Sequence, residues 1–486
     1  MFSKIFHWLR EAMSRMFNLR TDQRMTGGLP VAVSSDMATA IQNWHDEYIG
    51  KSPWLKNNPQ NLNLPAAIAS EMATLVTLEA KITIGGSKRA EWLTEQFKAV
   101  LENLHTNVEY ACAMGGIVMK PYPDGKNIAI DYIHVDDFYP VAFNGRKEIT
   151  SAVFVERKHV GDKVYSRVEF HRLMDTGYVI TNDCYCGRSD DDLGQKVPLS
   201  DVDEWKDLQP TVTIQNVDFP LFAYFRIPLG NTVDPKSPLG VSVYAKAEKN
   251  IKEADLQYQR LLWEFEGGEL AVDTSEDSFR RDKLGNVMLP SGRERLFRLN
   301  ALDPKHGNPA TFQTFSPTLR DTSLINGLNE ILAKIEDQTG LARGTLSDRL
   351  RETRTATEIK FSRQKTYATV TAIQTSLGNA LTALIRAMDA MATLYGLAPA
   401  GNYEVSCKWD DSVVTDADTE RIRDMQEVRD GLMHKYEFRM KWYGEDEKTA
   451  KQMAAGYDLD DEEIMFGDKE KKVPPKANEP KPSKQE

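Results

Sequence analysis

Apolar positions recur at helical spacing most clearly between Pro238 and about Gly267. Tyr244, Ile251, Tyr258 and Phe265, interleaved with Ala247, Ala254 and Leu261, form one apolar seam. Lys246, Lys249, Lys252, Glu253, Asp255 and Arg260 fall on the other faces. Ser237-Pro238 reads as an N-cap followed by proline at the first helical position, and Gly267-Gly268 as the stop. Leu324, Leu328, Ile331 and Ile335 repeat the seam on a second helix. Two rods flanking a turn-rich insert predict a hairpin-like stem. Charge nearly all round a narrow seam suits a stem that packs against several neighbours, so the pattern predicts a protein built to assemble.

Upstream, Thr21 to about Pro59 reads as polar and turn-rich, anchored by Trp44 and Trp54. Asn63 to about Lys81 predicts a helix opened by Leu64-Pro65, with Ile68, Met72, Leu75, Val76 and Leu78 inward. The short run Ile82-Thr-Ile84 then meets Gly85-Gly86. Lys88 to about Met114 predicts one amphipathic helix, ended by Gly115-Gly116. The pattern then changes period. Ile117 to Met119, Ile128 to Ile133, Phe138 to Phe143, Ile149 to Arg157, Lys163 to Met174 and Tyr178 to Thr181 alternate or are β-branched. Asp124-Gly125, Asn144-Gly145 and Gly161-Asp162 separate several of them, which predicts an antiparallel meander. Pro220 to Ile227 adds a strand.

Downstream of the stem, Thr355 to about Leu397 predicts a single long helix, with Thr355 and Glu358 as a capping box and Gly378-Asn379 as a candidate kink. Tyr403 to Trp409 reads as a strand, followed by helices from Thr415 to about Tyr443 and from Glu445 to Ala455. The Lys/Pro-rich tail from Lys469 to Glu486 has the composition of a disordered segment.

Composition narrows the function classes. The net charge of -11 argues against a general nucleic-acid binder, but not against a conduit whose walls must not grip a polyanion. Four cysteines, with Cys184 and Cys186 too close for an ordinary zinc pair, give no disulfide framework and point to a reduced, intracellular chain. No stretch approaches the roughly 18 apolar residues of a membrane span. Phe2, Ile5, Phe6, Leu9, Met13, Met16 and Phe17 share one face of an amphipathic N-terminal helix, which reads as a docking helix or, alternatively, a membrane-surface one.

Catalytic motifs are missing. There is no Gly-x-x-x-x-Gly-Lys-[Ser/Thr] loop, which disfavours a packaging ATPase or helicase. Gly240-Val-Ser242-Val-Tyr244 approaches a nucleophile elbow, but Tyr244 stands where the second glycine belongs. The eight histidines show no i, i+4 metal pair. No metal site or cofactor is read from the sequence. The enzyme alternative is a metal-dependent DNA-processing activity in the α+β body, with Asp131, Asp136 and Asp137 binding magnesium. Against it, Asp136 and Asp137 are adjacent and would point different ways on a strand.

Several runs carry a specific resemblance. Gly240-Val-Ser-Val-Tyr-Ala-Lys-Ala247, Trp263-Glu-Phe-Glu-Gly-Gly-Glu269, Leu289-Pro-Ser-Gly-Arg-Glu-Arg295, Leu324-Ile-Asn-Gly-Leu-Asn-Glu-Ile331, Gly340-Leu-Ala-Arg-Gly-Thr-Leu-Ser-Asp348 and Thr355-Ala-Thr-Glu-Ile-Lys360 resemble portal proteins of tailed double-stranded DNA phages. The branch they resemble is the siphovirus type of low-GC Gram-positive hosts, head-to-tail connectors without catalytic activity of their own. The likeness is strongest from about 237 to 400.

What the resemblance implies is a mostly helical α+β portal-type fold. Residues 1–236 would be an N-terminal helix and α+β wing, 237–268 a stem helix, 269–319 a small β-rich clip and 320–341 a second stem helix. Residues 342–354 would be a tunnel loop, 355–399 a long channel helix, 400–465 a helical crown and 466–486 a disordered tail. The resemblance further implies a homo-oligomeric ring, typically a dodecamer, at the capsid portal vertex of the virion, assembled in the host cytoplasm. Double-stranded DNA would pass through its channel without sequence readout during packaging and ejection. The terminase large subunit, the head-tail adaptor, and the major capsid and scaffold proteins would be its partners. Arg349, Arg351 and Arg354 are the candidate DNA-channel residues, with pairing to neighbouring acids around the ring left open. Arg280, Arg281, Arg293 and Arg295 are the candidate clip residues for motor, adaptor or subunit contacts, with ordinary solvated charges as the alternative.

Overall fold

The computed structural model describes residues 32–55, 60–78, 80–175, 177–189, 192–275, 280, 281, 284, 287, 288, 297–300, 313–348, 356–409 and 417–454. The N-terminal amphipathic segment, the tail, Thr355 of the capping box, and Arg293, Arg295, Arg349, Arg351 and Arg354 lie outside these residues. The chain divides into two compact units, 1–410 and 411–486. The mixture is α+β, as the pattern predicts.

In the first unit, one helix organises the core. Helix α7 (Ala356–Leu394) buries Val370, Ile373, Leu377, Leu381, Leu384, Ile385 and Met388, spaced by three and four residues along one face. Against it pack α2 (Leu64–Thr77), α3 (Lys88–Glu102), and a three-stranded sheet ordered β10-β2-β3, made of Ala223–Arg226, Gly116–Asp124 and Asn127–His134. Fully burying side chains of this kind contributes about 1.5–3 kcal/mol each before entropy is charged. Two polar tethers fix the register: Ser376 Oγ donates to Arg226 O at 2.6 Å and Gln374 Nε2 to Val76 O at 3.4 Å.

The meander is antiparallel throughout, but the first two strands read into it, β2 and β3, belong to the β10-β2-β3 sheet instead. Strands β4 (Phe138–Phe143), β5 (Ile149–Val160), β6 (Lys163–Met174), β7 (Gly177–Gly187) and β8 (Gln195–Val197) lie in sequence order, with β9 (Thr211–Ile214) also on β7. Gly125 and Gly161, at φ 61° and 60°, close the β2–β3 and β5–β6 hairpins where a side chain would be strained. The Asn144-Gly145 turn works differently. Asn144 Oδ1 accepts from the amides of Arg146 and Glu148, and Lys147 rather than Gly145 takes the positive φ.

Several sequence readings need correction. The polar stretch before Pro59 contains a helix, α1 (Ser35–Tyr48), capped by Ser34 Oγ and burying Met37, Ile41 and Trp44. Lys88 to Met114 is two helices, because the chain turns at Asn103 and restarts as α4 (Leu104–Met114). The first hairpin helix, α5 (Glu248–Gly267), starts ten residues later than the Ser237-Pro238 signal predicts. Residues 237–242 are irregular and 243–247 a turn instead, and Ser237 Oγ accepts from Leu239 N at 3.2 Å. Finally, the helix read to about Lys81 ends at Thr77, because Ala80 and Lys81 already belong with Ile82-Thr-Ile84 to β1 (Ala80–Gly85), which pairs antiparallel with the distant β14 (Glu404–Trp409).

The second unit contains α8 (Ala417–Arg429), α9 (Lys435–Tyr443) and α10 (Glu447–Ala454), with a break where a single helix to Tyr443 was predicted. His434 and Glu437 make a capping box for α9. Asp424, 1% exposed, accepts from Lys441 Nζ at 2.6 Å and Trp442 Nε1 at 2.9 Å.

Candidate functional site

The hairpin is antiparallel and held along its length. Helix α6 (Asp321–Thr339) returns beside α5, burying Leu328, Leu332, Ile335, Glu336 and Thr339 on its inward face. Three polar bridges mark the alignment: Asn250 Nδ2 to Gln338 Oε1 at 2.8 Å, Gln257 Nε2 to Leu324 O at 3.2 Å, and Arg320 to Glu264. Twenty helical residues make a rod of about 30 Å. At its far end the insert contains a small sheet: β11 (Ala271–Ser275) pairs parallel with β12 (Phe297–Asn300) and antiparallel with β13 (Gln313–Phe315). Three short strands are thus described within the insert, which the resemblance gives as β-rich. Arg280 and Arg281 are both exposed, in a bridge where Arg281 pairs with Val287.

At the other end of α6, a buried carboxylate builds the start of the loop. Glu336, 0% exposed, accepts at Oε1 from the amides of Gly344 (2.9 Å), Leu346 (2.6 Å) and Ser347 (2.8 Å). Its Oε2 accepts from Ser347 Oγ at 2.9 Å. Gly340 caps α6 at φ 85°, and a Cβ there would meet Thr369 Oγ1 at 2.6 Å. Arg343 makes a fork to Asp337, at 3.1 and 2.7 Å, Asp348 N donates to Asn329 Oδ1, and Lys365 Nζ donates to Asp337 O. Residues 341–348 are therefore a defined turn braced on α6. The sequence marks 342–354 as a loop through the resemblance alone and gives no sign of Glu336 as its anchor, beyond a glutamate on the inward face of an amphipathic helix, next to Ile335.

The Gly240 to Tyr244 run has a structural explanation. It crosses the junction of α4 and β2 in van der Waals contact: a Cβ on Gly240 would sit 2.1 Å from Gly115 O. Val243 N donates to Cys112 O at 2.9 Å, and Gly240 N donates to Tyr224 Oη at 3.0 Å. Ser242 is 1% exposed and its Oγ accepts from Tyr244 N, in irregular chain just before a turn and not in the helix predicted for it. It has no access to act as a nucleophile.

The three aspartates of the enzyme alternative do converge, which the sequence argument did not expect. Asp136 and Asp137 lie in the turn after β3 and, with Asp131, line a cleft of about 350 Å3. Cations answer two of them, Asp131 and Asp137. Arg157 pairs with Asp137, and Lys120 Nζ lies 3.6 Å from Asp131 and 2.6 Å from Glu169. Arg167 binds Glu156 (2.7 Å) and Glu169 (3.2 Å), while His171 Nε2 meets Glu169 Oε1 at 2.7 Å. Burial pushes the Glu169 carboxyl up, but Lys120, His171 and Arg167 together hold it well below the usual range. Burial likewise lowers His171, so the neutral ring donates to Glu169 and accepts from Tyr178 Oη at 2.9 Å. Among the described residues, no group of three or more His, Cys, Asp and Glu side chains is placed to hold a metal ion. The arrangement is that of an ion-pair network bracing β2, β3, β5 and β6.

The chain matches the family described as "Phage portal protein, SPP1 Gp6-like" over residues 36–456, and it belongs to that family. No curated protein sequence matches it. The family is one of structural phage proteins, and membership implies a capsid-associated oligomeric assembly. Among the described residues, no helix is long and apolar enough to cross a membrane.

Proposed function

We propose that copies of this chain close into a ring, a dodecamer by the family resemblance, that forms the DNA channel at the capsid portal vertex for packaging and ejection. In this reading α5 and α6 are the stem, the insert between them is the clip that receives the terminase large subunit and then the head-tail adaptor, and 342–354 is the tunnel loop. Residues 1–236 form the wing and 400–465 the crown, with major capsid and scaffold proteins as further partners. The siphovirus branch and its low-GC Gram-positive hosts belong to the same reading. The observation that carries it is the hairpin of two polar-faced rods, with a small β-insert at one end and a braced loop at the other.

Arg349, Arg351 and Arg354 follow the braced turn directly, so a loop anchored through Glu336 would present them from a fixed base. Contacts to passing phosphates there would be sequence-independent and short-lived, since tight binding would stall a moving duplex. Arg280, Arg281, Arg293 and Arg295 would supply charge at the clip for the motor, the adaptor or the adjacent subunit.

The test is native mass spectrometry of the purified full chain with electron microscopy of the same sample. Closed rings of about twelve copies with an axial hole wide enough for a duplex support the proposal. A monomer at all concentrations, even with the scaffold protein present, would overturn it. Replacing the three loop arginines by glutamine should leave the ring intact and lower packaging yield; unchanged yield would remove them from the channel role.

A further inference from the structure

The last turn of helix α1 meets the start of the hairpin helix α5, and that contact is built on acids. Glu47, in the last turn of α1, is 3% exposed, and its Oε2 is shut off from solvent without a hydrogen-bond partner. Glu248, the first residue of α5, shares a hydrogen bond with it. Two carboxylates can hydrogen-bond each other only when one carries a proton. Around the pair, α1 contributes Asp46 and Tyr48; α5 and its leading turn contribute Tyr244, Lys249 and Asp255. Lys249 acts on Glu248, whereas Asp46 and Asp255 add negative charge near Glu47.

The other neighbours of α1 engage it elsewhere. Helix α4 holds it through Tyr48 Oη, which donates to Glu109 at 2.8 Å, and the buried face of α2 is apolar. Tyr244 Oη donates to Trp44 O at 2.7 Å one turn before Glu47, so the α1–α5 seam has a neutral bond beside the acid pair.

We propose that a proton shared between Glu47 and Glu248 latches α1 to the hairpin helix α5, and that the latch loosens as the proton is lost. Burial, then Glu248, then the nearby aspartates push the Glu47 carboxyl up to about 8. In an opened α1 the same side chain returns to the ordinary value of 4.5. The sign follows. The latched state binds one more proton than the open state between those two values, so opening becomes easier as pH rises through that window. Below it both states are protonated, and above it both are ionised. The latch is tightest in acid and reaches its loosest near pH 8.

Hydrogen-deuterium exchange on the full chain tests this, read as protection of peptides within 35–48 after correction for the intrinsic rate, between pH 5.5 and 9. Residues 370–392 of α7 are the internal reference. Protection of α1 should fall about tenfold per pH unit relative to that reference and level off above about pH 8. Glu47→Gln should flatten the profile, and Glu248→Gln should move the break to lower pH. A flat wild-type profile, or an unaltered slope in Glu47→Gln, would overturn the latch. Should Glu47→Gln fail to fold, an unmoved break in Glu248→Gln overturns it equally.

Discussion

Arg320 closes the hairpin on Glu264: its backbone amide and Nε both reach Oε1, at 3.0 and 3.1 Å, and Nη2 reaches Oε2 at 2.7 Å. One residue from the last turn of α5 and the N-cap residue of α6 are thereby fastened at the point where the insert leaves and returns. Arg320 acts on Glu264 through its side chain first and its amide second, holding the carboxyl down to about 2. A lowered carboxyl contributes above its ordinary value and loses the contribution as pH falls through the lowered one.

The clasp should therefore persist in acid to near pH 2. Arg320→Ala should raise hydrogen exchange in the last turn of α5 and the first turn of α6 while sparing Leu332 and Ile335, which the hairpin buries independently. Equal exchange in wild type and variant would show the clasp to be incidental.

Glu336 makes a more discriminating prediction. Glu336→Gln keeps an oxygen for the three amides and turns an amide donor toward Ser347 Oγ, which can accept. The expected cost is about 1 kcal/mol or less. Glu336→Ala removes the acceptor from all three amides and should cost about 3 kcal/mol or more, read by denaturant unfolding. Exchange within 341–348 should rise in the alanine variant only.

These two anchors show what could be read in advance. The hairpin was legible because its seam repeats every three to four residues, from Ile251 and Ala254 to Leu261 and then from Leu328 to Ile335. The meander was legible because alternation and Asp-Gly or Gly-Asp turns are local signals. The start of α5 was not. Ser237-Pro238 is a fair helix-start signal, overridden because Gly240 must pass so close to Gly115 that a Cβ would sit 2.1 Å from the Gly115 carbonyl oxygen. The β1–β14 pair was hidden for another reason: Ile82 faces Cys407 across a sequence gap that no periodicity spans. Glu336 was missed because a buried acid looks, in sequence, like one more charge on a helix. Arg280 and Arg281 are placed by the structure, whereas the tunnel-loop arginines lie outside the described residues.

Gly240→Ala tests the close approach. The added methyl would overlap Gly115 O, Ile227 O and Ile227 N, all backbone atoms at 2.1 to 3.0 Å, so no flexible side chain can yield. A loss of about 3 kcal/mol or more is expected, since α4, β2 and β10 would have to part. Ser242→Ala, by contrast, leaves the fold standing, at about 1–2 kcal/mol for one buried hydroxyl. Should Ser242→Ala cost more than Gly240→Ala, the argument from backbone proximity would fail.

The Lys120 network gives the last prediction its sign. Lys120 is 6% exposed and sits 5.1 Å from the Phe154 ring centroid, so its charge has little water to fall back on. Lys120→Met removes that charge while preserving length, and leaves Glu169 with Arg167 and His171. Breaking a buried pair from one side costs about 3–5 kcal/mol; here the Arg167 cation and the His171 hydrogen bond that remain put the expected loss at the lower end. The pH dependence separates this from simple packing. In the wild type, Glu169 is held below its ordinary value of 4.5, so its contribution is present above that pH and is lost as pH falls below it. Lys120→Met lets the Glu169 carboxyl rise, which shrinks the acid-labile part of the stability. The wild-type and variant stability curves, measured by denaturant unfolding from pH 7 to pH 3, should therefore converge toward acid. Parallel curves would mean that the lysine contributes only its hydrocarbon stem.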